Sequence, residues 1–152
     1  MAVYVATVGW SLRDGEDFLA GRYSRGHVIS FDGGLIMPAS ASPHVVGNKW
    51  SVAEAVDPEE MFVASVASCH MLTFLHLARL AGFKALSYAD AAEGTMSPNA
   101  KGKLWVSKVV LRPKIAWETA PDAATLDRLH HEAHEECFIA NSVATEIVVQ
   151  QP

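Results

Sequence analysis

An uncharged stretch of 18 residues constrains the fold of this chain more than any other feature of its sequence. Residues 61–78 contain no Lys, Arg, Asp or Glu. Immediately before them, Asp57, Pro58 and Glu60 stand where a helix has its N-cap, a first-turn proline and a third-position glutamate. Gly82 follows where a glycine commonly ends a helix. The pattern predicts one long helix that is apolar on nearly every side.

Two environments are compatible with this apolar helix. A membrane span needs about 20 predominantly apolar residues, but five polar residues interrupt the stretch, namely Ser65, Ser68, His70, Thr73 and His76. We therefore expect a helix buried in protein and no membrane partner. A single sheet covers only one face of such a helix, and a chain of 152 residues has little material to cover the rest. We predict that a second copy covers it, in an obligate two-fold homodimer.

The part of the chain before the helix shows strand patterns. Segments 1–10, 27–31 and 35–37 alternate or contain β-branched residues, and turn residues separate them. These features predict a hairpin or meander. Residues 47–56 show no periodicity.

The part of the chain after the helix predicts further strands and one more helix. Segments 84–93 and 104–117 have strand patterns, and Ser97, Pro98 and Asn99 form the predicted turn between them. The second helix begins near Pro121 and places four residues on one face: Leu126, Leu129, Ala133 and Cys137. A last strand covers residues 143–149. With no repeat and no linker, residues 1–152 are predicted to form a single α+β domain.

Composition excludes several classes of function. The chain has 12 Lys and Arg against 17 Asp and Glu, and its basic residues form no stripe, so nucleic acid is not an expected partner. Residues 1–10 lack the basic region and cleavage site of an export signal, so we expect a cytoplasmic protein. The two cysteines, Cys69 and Cys137, favour redox chemistry over a structural disulfide in a reducing compartment.

Cys69 lies in the middle of the apolar helix, where a thiol is inert unless a cation or a hydrogen-bond donor reaches it. The helix N-terminus is too distant to help, and no Lys or Arg lies between Glu60 and Arg79. Any activating charge must come from another part of the protein. From the helix alone, the simpler interpretation is that Cys69 is a small core residue.

Cys137 is predicted to lie at the end of the second helix, where the negative end of the helix dipole disfavours a thiolate. His130 and His134 share its helical face, at a spacing that a zinc site could use. With three ligands in view, a solvated face rich in His and Glu is the favoured interpretation of this segment.

Three segments resemble the OsmC/Ohr family. Residues 57–70 resemble its P-E-x-x-F-x-A-(x)4-C signature, which ends at Cys69 in this chain. Residues 133–137, with Asn141 and Ser142, are similar to the segment that contains the second cysteine of the family. Residues 23–27, followed by Phe31, Asp32, Gly33 and Gly34, are similar to the region that supplies its active-site arginine. We prefer Arg25 to Arg22 for that role because Arg25 leads directly into the strand.

The resemblance implies thiol-dependent peroxidases that reduce organic hydroperoxides, as intertwined homodimers with active sites at the subunit interface. Cys69 would then be the peroxidatic cysteine and Cys137 the resolving one, while Arg25 and Glu59 would activate the thiolate. Glu59 precedes Cys69 by ten residues, about 15 Å along a helix. Direct action of Glu59 on Cys69 therefore requires a bent helix start or the other subunit.

The implied mechanism proceeds through a Cys69 sulfenic acid and a Cys69–Cys137 disulfide, which an external dithiol reduces. It needs no metal, flavin or haem. A substrate pocket is expected at Met61, Phe62, Met71 and Phe74, which are core residues by default. The chain departs from the family pattern at His70 and Phe138, each directly after a cysteine. The alternative is a non-enzymatic dimer of the same fold that binds zinc or another ligand.

Overall fold

The uncharged stretch forms a 23-residue helix, α2 (Pro58–Leu80), in the computed structural model of the chain, which describes residues 1–151. The Asp57 carboxylate accepts a hydrogen bond from the backbone N–H of Glu60 at 2.8 Å. The Glu60 carboxylate accepts one from the N–H of Asp57 at 3.0 Å, which completes a capping box. Beyond the other end, Gly82 adopts a φ of 85°, which favours glycine. Both predicted helix signals are confirmed.

Within the single chain, α2 is buried along one stripe only. The buried residues recur every fourth position, at Val66, His70, Phe74 and Ala78. On other faces Leu72 and Leu80 are 62% and 61% exposed. By length and composition α2 is able to cross a membrane, a test that core helices of soluble proteins also pass. The chain itself therefore covers one face of this apolar helix.

Residues 1–61 form the first of two compact units. Their antiparallel sheet has the order β1-β2-β3, with strands β1 (Ala6–Gly9), β2 (His27–Phe31) and β3 (Ile36–Ala39). The predicted meander is confirmed. Strand β3 continues through Pro38, where the prediction ended it at residue 37; as an edge strand, β3 tolerates a residue without an N–H.

A short helix, α1 (Pro43–Val46), follows in the segment after β3, and the sequence analysis did not predict it. Ser42 caps this helix by accepting a hydrogen bond from the N–H of His44 at 3.3 Å. One turn is too short to give a periodic pattern, so the residues around it showed no helix signal.

The second unit, from Phe62 onward, contains two sheets beside most of α2. Strands β4 (Ala85–Asp90) and β7 (Pro113–Trp117) pair with each other in antiparallel orientation. In the other sheet, β6 (Leu104–Leu111) is central, between β5 (Glu93–Pro98), which is antiparallel to it, and β8 (Glu146–Val149), which is parallel. The predicted last strand is confirmed.

The strand predicted for segment 84–93 is confirmed as β4, although it ends at Asp90 and β5 begins at Glu93. The single long strand predicted for segment 104–117 is wrong, because the segment is divided into β6 and β7. At the division, Asp90 Oδ1 accepts a hydrogen bond from the backbone N–H of Arg112 at 2.7 Å. This contact between distant residues lies where the chain passes from one sheet to the other.

The predicted turn at Ser97, Pro98 and Asn99 is displaced, because Ser97 and Pro98 belong to β5. The Asn99 side chain accepts hydrogen bonds from the N–H groups of Lys101 and Lys103, at 2.9 and 3.0 Å, so the turn follows Pro98.

The second predicted helix is α3 (Ala123–Glu136), and Asp122 caps it by accepting a hydrogen bond from the N–H of Thr125 at 2.7 Å. Its predicted apolar face is confirmed, because Leu129, Ala133 and Cys137 are all buried. This face packs on Phe74 and Ala78 of α2. A second core cluster joins α2 to β6, through Val66, Val109 and Leu111. The α+β fold class is confirmed, and the single domain over 1–152 stays a prediction.

One glycine permits a close approach in the second unit. An ideal Cβ at Gly94 of β5 would lie 2.5 Å from Cγ2 of Val63 on α2. Any side chain at this position would require a shift of the Val63 side chain, the helix or the strand. The approach fixes α2 against β5, two turns before the helix reaches Cys69.

Candidate functional site

The two cysteines, 68 positions apart in the sequence, are neighbours in the structure. Cys69 lies in the middle of α2, and Cys137 is the C-cap residue of α3. Both are free thiols. Their proximity shows in the acidity of Cys137: burial raises its pKa most, and the adjacent Cys69 thiol raises it further. The packing of α3 on α2 therefore brings together the two residues that redox chemistry would need.

The two thiols differ in accessibility. Cys69 is partly exposed, whereas Cys137 is 1% exposed. The raised pKa of Cys137 keeps it a neutral thiol near pH 7, although the N–H of Ala140, 3.4 Å from its Sγ, acts in the opposite direction. An external reagent can therefore reach Cys69, while Cys137 is placed to react with Cys69 alone.

Hydrogen bonds hold the segment that follows Cys137. The Asn141 side-chain NH2 donates to the carbonyl oxygens of Glu135 and Cys137, at 2.7 and 3.1 Å. The Ser142 hydroxyl donates to the carbonyl oxygen of Phe138 at 2.6 Å. Backbone hydrogen bonds form a single 3-10 turn at residues 140–142, and these side-chain bonds attach the turn to the segment that contains Cys137.

An open pocket of about 600 Å³ is lined by residues that are close in sequence to Cys69 and Cys137, although neither cysteine is part of its lining. Its lining comes from α2, from the end of α3 and from the 3-10 turn, and consists of Leu72, Thr73, His76, Glu135, Glu136, Phe138 and Asn141. Thr73 is one turn beyond Cys69 and donates from its hydroxyl to the Cys69 carbonyl at 3.0 Å. Phe138, which follows Cys137, is 81% exposed.

The predicted substrate pocket differs from this one. Phe74 is wholly buried and belongs to the core between α2 and α3. Phe62 packs on the second core cluster. For these two residues the default interpretation, core packing, was the correct one. No sequence pattern indicated the residues that do line the pocket, although Phe138 is a departure from the family pattern.

The two candidate arginines, in the first unit, differ in how they are held. The Arg25 guanidinium donates to the carbonyl oxygens of Gly21, at 3.1 Å, and of Tyr23, and lies 3.6 Å from the centre of the Tyr23 ring. Arg22 makes an exposed ion pair with Asp17 at 2.7 Å. The held, stacked guanidinium favours Arg25 as a positioned cation. Glu59 lies in the first turn of α2. The roles of Arg25 and Glu59 stay predictions.

The zinc alternative finds no ligand set. Among residues 1–151, no group of three or more His, Cys, Asp or Glu is arranged to hold a metal ion. His130, one of the three suggested ligands, is 4% exposed and instead forms a hydrogen bond with His70, with 3.0 Å between its Nδ1 and Nε2 of His70. The favoured interpretation, a solvated face, is wrong for His130 as well.

Burial keeps this histidine pair neutral. The pKa of each imidazole is lowered from 6.5 to about 4, and removal from water is the largest cause. For His70, the neighbouring His130 and His134 contribute to this lowering of the pKa, whereas for His130 the Asp127 carboxylate opposes it. Near pH 7 both rings are therefore uncharged, and one nitrogen donates while the other accepts.

The pair makes stability depend on pH. Because the folded-state pKa values lie below the unfolded value, the unfolded chain binds more protons between pH 6.5 and about 4. Stability is full above that range and is lost as the pH falls through it. We expect urea unfolding to show a loss on the order of 3 kcal/mol between about pH 7 and pH 4.5. A variant with both His70→Leu and His130→Leu should lose less, and an equal loss would contradict this assignment.

Comparison with known proteins supports the sequence resemblance. A family model described as OsmC-like protein matches residues 51–151. An OsmC-like protein of unknown function from Vibrio cholerae has 48% identity and a TM-score of 0.97, with 100% of both chains covered. No curated protein matches the chain.

Two further solved structures share the fold at lower identity. An organic hydroperoxide resistance protein OsmC from Legionella pneumophila has 21% identity and a TM-score of 0.69, with 99% of this chain and 96% of that one covered. An organic hydroperoxide resistance protein from Elizabethkingia anophelis has 18% identity and a TM-score of 0.73, with 99% and 94% covered.

Proposed function

Because the chain belongs to the OsmC/Ohr family, we propose that it is a thiol-dependent peroxidase that reduces organic hydroperoxides to alcohols in oxidative-stress defence. One observation carries the proposal: a partly exposed cysteine and a buried cysteine, distant in sequence, are neighbours in the fold. The names of the relatives from Legionella pneumophila and Elizabethkingia anophelis agree with it.

In the first step, the Cys69 thiolate attacks the terminal oxygen of the hydroperoxide. The O–O bond breaks, the remaining alkoxide takes a proton and leaves as an alcohol, and Cys69 becomes a sulfenic acid. Cys69 is suited to this role because it is the thiol that a solute can reach. The open pocket, whose lining is close in sequence to Cys69 and Cys137, offers Leu72 and Phe138 to an apolar substrate tail.

In the second step, Cys137 attacks the oxidised sulfur of Cys69. The S–O bond breaks, the hydroxyl leaves with the Cys137 proton as water, and a disulfide forms. The N–H of Ala140 near Cys137 Sγ stabilises the charge that develops on this sulfur. An external dithiol then returns both cysteines to thiols and is itself oxidised. It attacks Cys69, because Cys137 is 1% exposed.

The first step needs a cation near Cys69, since α2 itself has no Lys or Arg before Arg79. We assign this role to Arg25, which would lower the pKa of the thiol and stabilise the negative charge of the transition state. Glu59 would orient that guanidinium. Ten residues of helix separate Glu59 from Cys69, about 15 Å, so we propose that these groups act across a subunit interface.

We propose a homodimer because large apolar surfaces are exposed on the single chain. Exposed apolar residues of the first unit include Val3, Tyr4, Val8, Leu19 and Ile36, at 65% or more. Leu72 and Leu80 extend this pattern to α2. A second copy that packs on these side chains would remove them from water.

The dimer predicts a mass of two chains in light scattering at low micromolar concentration. The variant Leu80→Glu introduces a charge and is expected to shift the protein from dimer towards monomer or aggregate. The control is Arg79→Glu, which should change the dimer less because residue 79 is already charged. A stable monomer of the wild type that retains peroxidase activity would contradict this proposal.

The activity is tested by incubating the protein with cumene hydroperoxide and dithiothreitol, and measuring the peroxide consumed and the alcohol formed. We expect one alcohol per hydroperoxide, over many turnovers, and a slower reaction with hydrogen peroxide because the pocket is partly apolar. A protein that binds hydroperoxide but consumes none would instead support the ligand-binding alternative.

A further inference from the structure

The histidine pair joins the same two helices as the cysteine pair. His70 directly follows Cys69 on α2, and His130 lies seven residues before Cys137 on α3. Their hydrogen bond, 3.0 Å between Nε2 and Nδ1, is buried, and the rings are nearly parallel, with 7° between their planes. Cys69 and His70, which are consecutive on α2, thus have partners at the two ends of a stretch of about 10 Å along the axis of α3.

The described residues around the histidine pair offer it no other hydrogen-bond partner. The Phe74 ring stacks on His130 with 4.2 Å between the ring centres, and lies 6.4 Å from the His70 ring. His70 is 2% exposed and its Nδ1 has no hydrogen-bond partner in the described chain. This pair of imidazoles lies in an otherwise apolar contact and leaves one buried nitrogen without a hydrogen-bond partner. An apolar pair would avoid that cost, so stability alone does not explain why two histidines occupy these positions.

Apolar packing between α2 and α3 leaves their register weakly specified. Phe74, Ala78, Leu129 and Ala133 make this contact, and their attraction has little directional preference. A buried hydrogen bond is directional, and a single buried polar pair can fix the register of helices. A disulfide demands such precision, because its Cα atoms must lie about 4.4–6.8 Å apart.

We propose that His70 and His130 are positioning residues, and that their hydrogen bond holds Cys137 in register with Cys69 for disulfide formation. The inference builds on the proposed function but concerns the second step only. In the reaction that tests it, the two thiols transfer two electrons and two protons to oxidised dithiothreitol, which becomes the reduced dithiol. No peroxide takes part, so the test does not depend on peroxidase activity.

The experiment equilibrates each protein in buffers of oxidised and reduced dithiothreitol, and measures the Cys69–Cys137 disulfide by thiol alkylation and mass spectrometry. The double variant His70→Leu/His130→Leu removes both polar partners and leaves no new unpaired group, so it is expected to fold. We expect its disulfide to form at a ratio of oxidised to reduced dithiothreitol about tenfold higher than the wild type needs. This corresponds to a rise of about 30 mV in the reduction potential of the cysteine pair.

Two further variants separate positioning from mere structure. His130→Asn retains a polar group at the position of Nδ1, and we expect its dithiothreitol ratio for disulfide formation to stay within about threefold of that of the wild type. The tenfold loss expected for the double variant is of the size that small misplacements cause. His131→Leu changes the exposed neighbouring histidine of α3 and should match the wild type.

A folded double variant that forms the disulfide as readily as the wild type would overturn the inference and leave the proposed peroxidase intact. Loss of the disulfide in His131→Leu as well would also overturn it, because the effect would not be specific to the buried pair. If the wild type forms no Cys69–Cys137 disulfide in any buffer, both the inference and the proposed two-cysteine mechanism fall.

Discussion

Cys69→Ser is expected to abolish hydroperoxide reduction without loss of the fold. A serine hydroxyl has no accessible anion near pH 7 and forms no sulfenic acid, so the first step has no nucleophile. The change replaces one sulfur with oxygen at a partly exposed position, where the cost in packing is small. Alcohol formation from cumene hydroperoxide should fall to the rate of dithiothreitol alone.

The matched control for this variant is Ser68→Ala, one residue earlier on α2 and exposed. It should keep the activity of the wild type, since Ser68 has no part in the proposed reaction. Multiple turnover by Cys69→Ser at the wild-type rate would remove the peroxidase assignment of this thiol, because no other cysteine of the chain is exposed to a solute.

Cys137→Ser is expected to limit the protein to a single turnover. The first step remains, so one equivalent of peroxide reacts in a rapid burst, but no buried thiol is present to form the disulfide. With excess peroxide, Cys69 then proceeds to sulfinic acid, which intact-mass spectrometry detects as two added oxygens. Rapid direct reduction of the sulfenic acid by dithiothreitol is avoided by leaving the reductant out.

Sustained turnover of this variant with a large cellular dithiol, equal to that of the wild type, would show that Cys137 is not the resolving thiol. Cys137 is buried against α2, so its replacement also affects packing. The comparison is therefore made between variants of equal stability in urea, which separates loss of the thiol from loss of the fold.

Local signals predicted the two long helices, α2 and α3, well. The capping box of Asp57 and Glu60 and the glycine after α2 are read directly from neighbouring residues, and the structure shows both. The strands after α2 were harder, because the hydrogen bond between Asp90 and Arg112 that marks their division links residues 22 positions apart. No local pattern contains that contact.

The candidate site was predictable in part for the same reason. The resemblance identified Cys69 and Cys137, and their proximity follows from the family fold. The pairing of His70 with His130 depends on how α3 packs on α2, across 60 positions. The spacing on α3 alone favoured a solvated face, with zinc as the alternative, and neither describes His130. Likewise, the pocket is lined by two segments, 72–76 and 135–141, that meet only in the folded chain.

The proposed mechanism depends most directly on a bond between the two sulfurs. Reduced protein, freed of dithiothreitol, is treated with one equivalent of cumene hydroperoxide, blocked with an alkylating reagent, digested and mapped without reduction. The account predicts that the peptides containing Cys69 and Cys137 are recovered as one disulfide-linked species, with both thiols protected from alkylation. Recovery of both cysteines as alkylated thiols, with the hydroperoxide unconsumed, would contradict it.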